Sequence, residues 1–299
     1  MPKTATELLE GRSMGTGWRV TLDGPVPERD RLHAECQATV DLVDRQMSTW
    51  KPDSDLMRLN AAPLGEWVTL PPELLFVLQS GLQISHLTDG AFEMNLGDAV
   101  RAWGFNTTAP SLAAIRAASA APRVPATRAL ELGDGCARAT APLSLDLSGI
   151  AKGYAVDRLA DLLTGRGLTH ALCEIDGELR ATGPRRDGSP WSVAVQDPTA
   201  DAAHSVFALT DGAIATSGDY RHFVTVRGAR LSHTMDPKRG APLVDAPASV
   251  SVLAPTCMMA DAMATALMVM GPRAAAFATT HGIQALVLMR DPQTQTRPI

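Results

Sequence analysis

Apolar positions recur at helical spacing in the first long segment of the chain. Leu32, Cys36, Val40, Val43 and Met47 fall on one face of residues 28–47, behind Pro27. The same spacing returns in 72–87, through Leu75, Leu78, Leu82 and Ile84, and predicts a second helix. Residues 110–120 predict a shorter, poorer helix and 151–163 a fourth, while 258–270 is helix-forming in composition and stops at Gly271-Pro272. The period changes from 3.6 to 2 in other stretches. Trp18-Arg19-Val20-Thr21-Leu22 alternates, and so do 171–181, 191–196, 205–209, 213–217, 223–226, 230–233, 249–253 and 284–289, with Arg227-Gly228 as a hairpin turn between two of them. Helices and strands mixed in this order predict an α+β fold with an antiparallel-leaning sheet. The alanine-rich, proline-bearing stretch 107–127 is expected to be a surface excursion, and no internal repeat is evident.

Two segments carry candidate chemistry. Residues 142–157 read as an alternating strand that runs through Gly149 into a helix, with Asp146 before the turn and Lys152 inside it. A strand ending at glycine lets the N–H groups of the next helix start point at an anion, to which Lys152 would add a point charge. A tight strand-to-helix connection with a solvated lysine gives the same pattern. In the second segment Asp261 and Thr265 lie four residues apart on one face of an otherwise apolar helix. Such a hard oxygen pair suits Mg2+, which takes few protein oxygens and completes its shell with water and substrate phosphate. An acid near a helix start and a threonine bonded back to a carbonyl would also explain it.

Composition sets the setting. The chain has 299 residues, 45% hydrophobic and 20% charged, enough to bury a large core. A net charge of −5 argues against a nucleic-acid partner and leaves no polybasic membrane patch, and the longest apolar stretches are too short to span a bilayer. Cys36, Cys136, Cys173 and Cys257 have no metal-ligand spacing and read as core residues without a disulfide framework. Residues 1–10 show neither an apolar h-region nor a lipoprotein cysteine, so the expectation is a cytoplasmic protein, or a periplasmic one whose leader has been removed.

Seven blocks in order then resemble the ApbE family, the FAD:protein FMN transferases, over nearly the whole chain. They are Met14-Gly15-Thr16 with the strand after it, Met47-Ser48-Thr49-Trp50-Lys51-Pro52, Asp89-Gly90-Ala91-Phe92 leading to Trp103-Gly104-Phe105, and the 146–157 segment. After these come Ala215-Thr216-Ser217-Gly218-Asp219-Tyr220-Arg221, Leu231-Ser232-His233-Thr234-Met235-Asp236-Pro237, and Ala254-Pro255-Thr256 ahead of the Asp261/Thr265 helix. The resemblance implies a T-fold-like architecture, with residues 1–299 as one domain. It implies Mg2+-dependent cleavage of the FAD pyrophosphate, transfer of the FMN half to a threonine or serine hydroxyl of an acceptor flavoprotein such as a redox membrane-complex subunit, and release of AMP. An Mg2+-dependent FAD pyrophosphatase and a non-catalytic FAD-binding protein are the alternatives.

The resemblance also implies residue roles. Asp261, Thr265 and the Gly149 carbonyl hold the metal; the position before the threonine is Ala264, which supplies no carboxylate. Met14, Trp50, Ala91, Phe92, Glu93, Asp146, Lys152 and Met235 match the positions that contact FAD, Trp50 as a stacking aromatic. His233 is the candidate base, with Asp236 either orienting it or capping the Asp-Pro turn. Ser217 and Asp219 either shape the pyrophosphate pocket or make the turn. Two departures stand out: Glu93-Met94-Asn95 where Asp and Thr usually follow Ala-Phe, and Glu174-Ile175-Asp176-Gly177-Glu178 where a pair of glycines is common.

Overall fold

The computed structural model describes residues 6–105, 109–198, 200, 202–218, 223–226, 229–244 and 246–289; Thr107, Asp219 and the expected turn at Arg227-Gly228 lie outside the described residues. The chain opens as a hairpin of β1 (Thr6–Ser13) and β2 (Thr16–Asp23), turned at Met14-Gly15. A run of α1 (Arg29–Met47), α2 (Asp55–Ala61), β3 (Val68–Thr69), α3 (Pro72–Leu87), α4 (Gly97–Ala102), α5 (Leu112–Ala120) and α6 (Ala126–Ala129) follows. Next come β4 (Leu130–Gly133), β5 (Cys136–Ala139), α7 (Ala151–Gly165), β6 (Ala171–Ile175), β7 (Glu178–Thr182), β8 (Trp191–Gln196), β9 (Ala203–Leu209) and β10 (Gly212–Gly218). Short strands β11 (Phe223–Val226), β12 (Ala229–Ser232), β13 (Met235–Asp236) and β14 (Ala241–Pro242) precede β15 (Ser249–Ala254), α8 (Cys257–Met270), α9 (Ala274–His281) and β16 (Gln284–Leu288). This is the α+β arrangement expected, and every described strand pair is antiparallel.

The central sheet has seven strands in the order β1-β2-β6-β7-β10-β15-β16. Its period-2 sequences place two sets of side chains on two faces. Trp18, Val20 and Leu22, with Ala171, Cys173 and Ile175, Val250 and Val252, and Ala285 and Val287, join the larger core with helices α1, α7 and α8. The opposite parity, Ile214, Leu286 and Leu288, packs under the β8–β9 hairpin through Trp191, Val193, Val195 and Leu209. Both faces of β10 and β15 are covered, and the Thr216 and Ser251 hydroxyls meet at 2.7 Å across the ladder. All four cysteines are free, and Cys36 and Cys173 are fully buried in the core. Among the described residues no helix is long and apolar enough to cross a membrane.

Two expectations are corrected. The continuous strand 171–181 is a hairpin, broken at Asp176-Gly177, where both residues have positive φ (54° and 102°). An Asp-Gly pair is the standard signal for a two-residue turn, and the apolar alternation ran on through it because β7 returns onto the same faces. Residues 142–147 form no ladder. The segment is extended, but side chains take the place of a neighbouring strand. Asn60 accepts from Leu145 N–H (2.7 Å) and donates to its carbonyl (3.0 Å). Asn95 accepts from Ser144 N–H (2.7 Å) and donates to the carbonyls of Val124 (2.8 Å) and Pro142 (3.1 Å). The amide at position 95, one of the two departures above, is therefore the staple that fixes the approach to Gly149.

Candidate functional site

The site is built where α7 crosses α8. A Cβ on Gly153 would sit 2.4 Å from the Cys257 carbonyl and 2.8 Å from Asp261 Cβ, and one on Gly149 would sit 2.9 Å from Thr265 Oγ1. Only glycine lets the two helices approach this closely. The Asp157 carboxylate of α7 then clamps the start of α8: Oδ1 accepts from Cys257 N–H (2.8 Å) and Oδ2 from Met258 N–H (2.9 Å), while Arg180 Nη1 donates to Oδ1 (2.7 Å). Burial pushes the Asp157 carboxyl above its usual range, partly offset by these donors. Gly153→Ala is expected to force the helices apart at a cost of roughly 1–3 kcal/mol. An unchanged denaturant midpoint would contradict this packing account.

With the α8 cap filled by Thr256 and its first amides taken by Asp157, Asp261 is not a capping acid. It lies one turn further in, 4% exposed, with Oδ2 accepting from Gly153 N–H (3.0 Å). Thr265 reaches out of its helix to Ser217 Oγ on β10, at 3.2 Å. One carboxylate and two hydroxyls, beside the Gly149 turn, make a hard-oxygen set of the kind that suits a small divalent cation completing its shell with water and phosphate. Among the described residues no three His, Cys, Asp or Glu converge as metal ligands, so any cation here depends on few protein carboxylates.

Next to this set stands an acidic wall. Lys152 Nζ lies 3.0 Å from Asp176 Oδ2 and 3.1 Å from Glu178 Oε1. Burial alone would lower the lysine pKa, but the charges of Glu178, Asp261 and Asp176 outweigh it and hold the ammonium protonated. Burial raises the carboxyls of Glu178 and Asp261, opposed in each case by Lys152.

A cleft of about 620 Å³ opens over these groups. Its walls gather Ala91, Phe92 and Glu93 from the segment after α3, then Asp146, Gly149 and Lys152, then His233 and Met235, and finally Asp261 and Thr265. Ser217 lines it as well, so it contributes to the pocket. Glu93 Oε1 accepts from the N–H groups of Asn95 (2.7 Å) and Ala126 (2.9 Å), and burial raises its pKa. Asp146 Oδ1 accepts from Ser148 N–H at 2.8 Å, shaping the turn into Gly149. The His233 ring stands edge-on to Phe105 at 6.4 Å. Asp236 takes the turn role left open above, accepting from Lys238 N–H (2.8 Å) and Arg239 N–H (3.2 Å).

Two of the expected positions are not on the cleft wall. Met14 sits at the β1–β2 turn with positive φ (51°), packed against the larger core. Trp50 is 60% exposed in the loop after α1, so it is not an ordinary core tryptophan. Conversely, the roles of Asp157, Asp176 and Glu178 were not legible. Lys152 meets acids 24 and 26 positions away, and only the β6–β7 pairing brings them together.

Comparison with known proteins fits this geometry. The model of the ApbE family matches residues 14–287. The FAD:protein FMN transferase of Klebsiella pneumoniae (strain 342) is 37% identical over 286 residues, covering 92% of this chain and 81% of that protein. That of Vibrio cholerae is 35% identical over 293 residues, covering 94% and 87%. Among solved structures, the apo form of Pseudomonas stutzeri flavinyl transferase ApbE superposes with a TM-score of 0.85 at 35% identity, covering 98% of this chain and 95% of that one. The flavin transferase ApbE from Vibrio cholerae gives 0.86 at 32% identity, covering 99% and 97%.

Proposed function

The chain belongs to the ApbE family, and from that premise we propose that it is a Mg2+-dependent FAD:protein FMN transferase, moving the FMN moiety of FAD onto a threonine or serine hydroxyl of an acceptor protein and releasing AMP. The observation that carries the reading is one cleft in which the Asp261–Thr265 pair and the Gly149 turn share walls with His233. In the reaction the acceptor oxygen bonds to the FMN phosphorus, the bond from that phosphorus to the AMP oxygen breaks, and AMP leaves. Asp261, Thr265 and the Gly149 carbonyl are the groups that would hold Mg2+, which supplies charge neutralisation at the pyrophosphate.

His233 is assigned as the base that takes the acceptor hydroxyl proton at a ring nitrogen. Phe92 and Met235 offer apolar surface to the flavin or adenine ring, with Ala91 leaving room beside them. Glu93 and Asp146, each already anchored by backbone N–H groups, present fixed acceptors to the ligand. Trp50 keeps an exposed indole face and is assigned to stack on the flavin, and Met14 at the hairpin tip is assigned as a further FAD contact.

The test is the intact mass of a threonine-bearing acceptor domain after incubation with this chain, FAD and Mg2+. The reading expects a gain equal to the FMN moiety, absent with EDTA and absent when the acceptor threonine is replaced by alanine. Free FMN with unmodified acceptor would instead support a pyrophosphatase.

A further inference from the structure

Lys152 lines the cleft, yet its ammonium is already engaged. Of its three N–H donors, two have carboxylate partners, Asp176 Oδ2 at 3.0 Å and Glu178 Oε1 at 3.1 Å, and the carboxylate of Asp261 is a third charged neighbour. The Glu178 half of the clamp is fixed: the residue is 3% exposed and its Oε2 is buried without a hydrogen-bond partner, so without Lys152 neither of its oxygens would be paired. The Asp176 half is adjustable, because that side chain is 26% exposed and stands on a two-residue turn. Aspartate tolerates its φ of 54°, but glycine would hold the same turn with less strain, so the carboxylate is not there for the turn.

We propose that Asp176, together with Glu178, holds the Lys152 ammonium as an internal counter-ion of the acidic wall, so that Lys152 compensates the protein's own carboxylates and a diphosphate-bearing ligand relies on a divalent cation for its charge compensation. Asp176 is thus a positioning residue that acts through Lys152. Three carboxylates against one ammonium leave the wall net negative when all are ionised, which disfavours a bare diphosphate. Removing Asp176 releases one of the two tethers and lets Lys152 turn to a phosphate oxygen, a charge-assisted contact. The inference rests on the reading that the cleft takes FAD.

The experiment is equilibrium FAD binding to the whole chain, followed by flavin fluorescence, in EDTA and in Mg2+. Asp176→Gly is expected to tighten binding in EDTA about tenfold, and Asp176→Asn, which removes the charge and keeps the size, to tighten it in the same direction. In a Lys152→Met background the gain from Asp176→Gly falls below about threefold, because the remaining effect is the lost charge alone. Lys152→Gln, which keeps a donor for Glu178, serves as a second background should the methionine variant fail to fold. No gain, or weaker binding, in the native background overturns the proposal, and so does an equal gain in both backgrounds. A native chain that binds FAD neither in EDTA nor in Mg2+ refutes the flavin reading itself, a result distinct from any pattern among the variants.

Discussion

Asp261→Ala is expected to lower Mg2+-dependent flavin transfer to below about one-hundredth of the native rate while the chain still unfolds cooperatively. The carboxylate is the one acidic side chain in the hard-oxygen set with Thr265 and Ser217, and Ala264 beside it offers no replacement. Its structural share is smaller. It accepts one backbone hydrogen bond, from Gly153, and removing it gives up the attraction to Lys152 but relieves burial of a charge and repulsion with Asp157 and Asp176, so stability should change by less than about 2 kcal/mol. Initial rates across a Mg2+ titration and calorimetric Mg2+ binding to the free protein check this. Full activity at low Mg2+ would remove Asp261 from the metal site.

His233→Ala is expected to slow transfer about 10²- to 10⁴-fold, the usual contribution of a general base, with FAD affinity changed less than about threefold. The ring lies on the cleft wall, edge-on to Phe105, and as the assigned base it would act on the acceptor hydroxyl and not on the body of the ligand. Single-turnover transfer from prebound FAD separates the two effects. A variant that loses affinity and keeps its single-turnover rate would make His233 a binding residue.

Much of this architecture was readable one element at a time. Helical periodicity located α1, α3 and α7 to within two residues, because their apolar faces meet one continuous core. Alternation located β8, whose burial alternates strictly, and β10 and β15, which are covered on both faces. What local pattern could not show was pairing at a distance. The 142–147 segment alternates like a strand but is held by Asn60 and Asn95, 85 and 49 positions from the atoms they bind. The 171–181 run hid a turn because both arms of the hairpin carry the same apolar rhythm. Short elements such as α2, α4, α6 and the β3-β5-β4 sheet were missed, being too brief to show a period.

The site divides in the same way. The spacing of Asp261 and Thr265 within one helix marked a candidate oxygen pair beside a plain structural alternative, and the ordered motifs pointed to His233, Met235 and 91–93; the structure places all of them on one cleft. The clamp on Lys152 and the Asp157 cap were not legible, since each joins residues brought together only by the sheet or by the α7–α8 crossing. Trp50 shows the limit of a motif read without its surroundings. The sequence marks an aromatic there, and only the structure shows that its face is exposed and off the cleft wall.

The most direct test of the central claim is a single reaction of this chain with FAD, Mg2+ and a threonine-bearing acceptor, in which released AMP and covalently bound flavin are quantified together. The account predicts equal amounts of the two, both abolished by EDTA. AMP formed with no flavin on the acceptor, or bound FAD with no AMP under any condition, would contradict it.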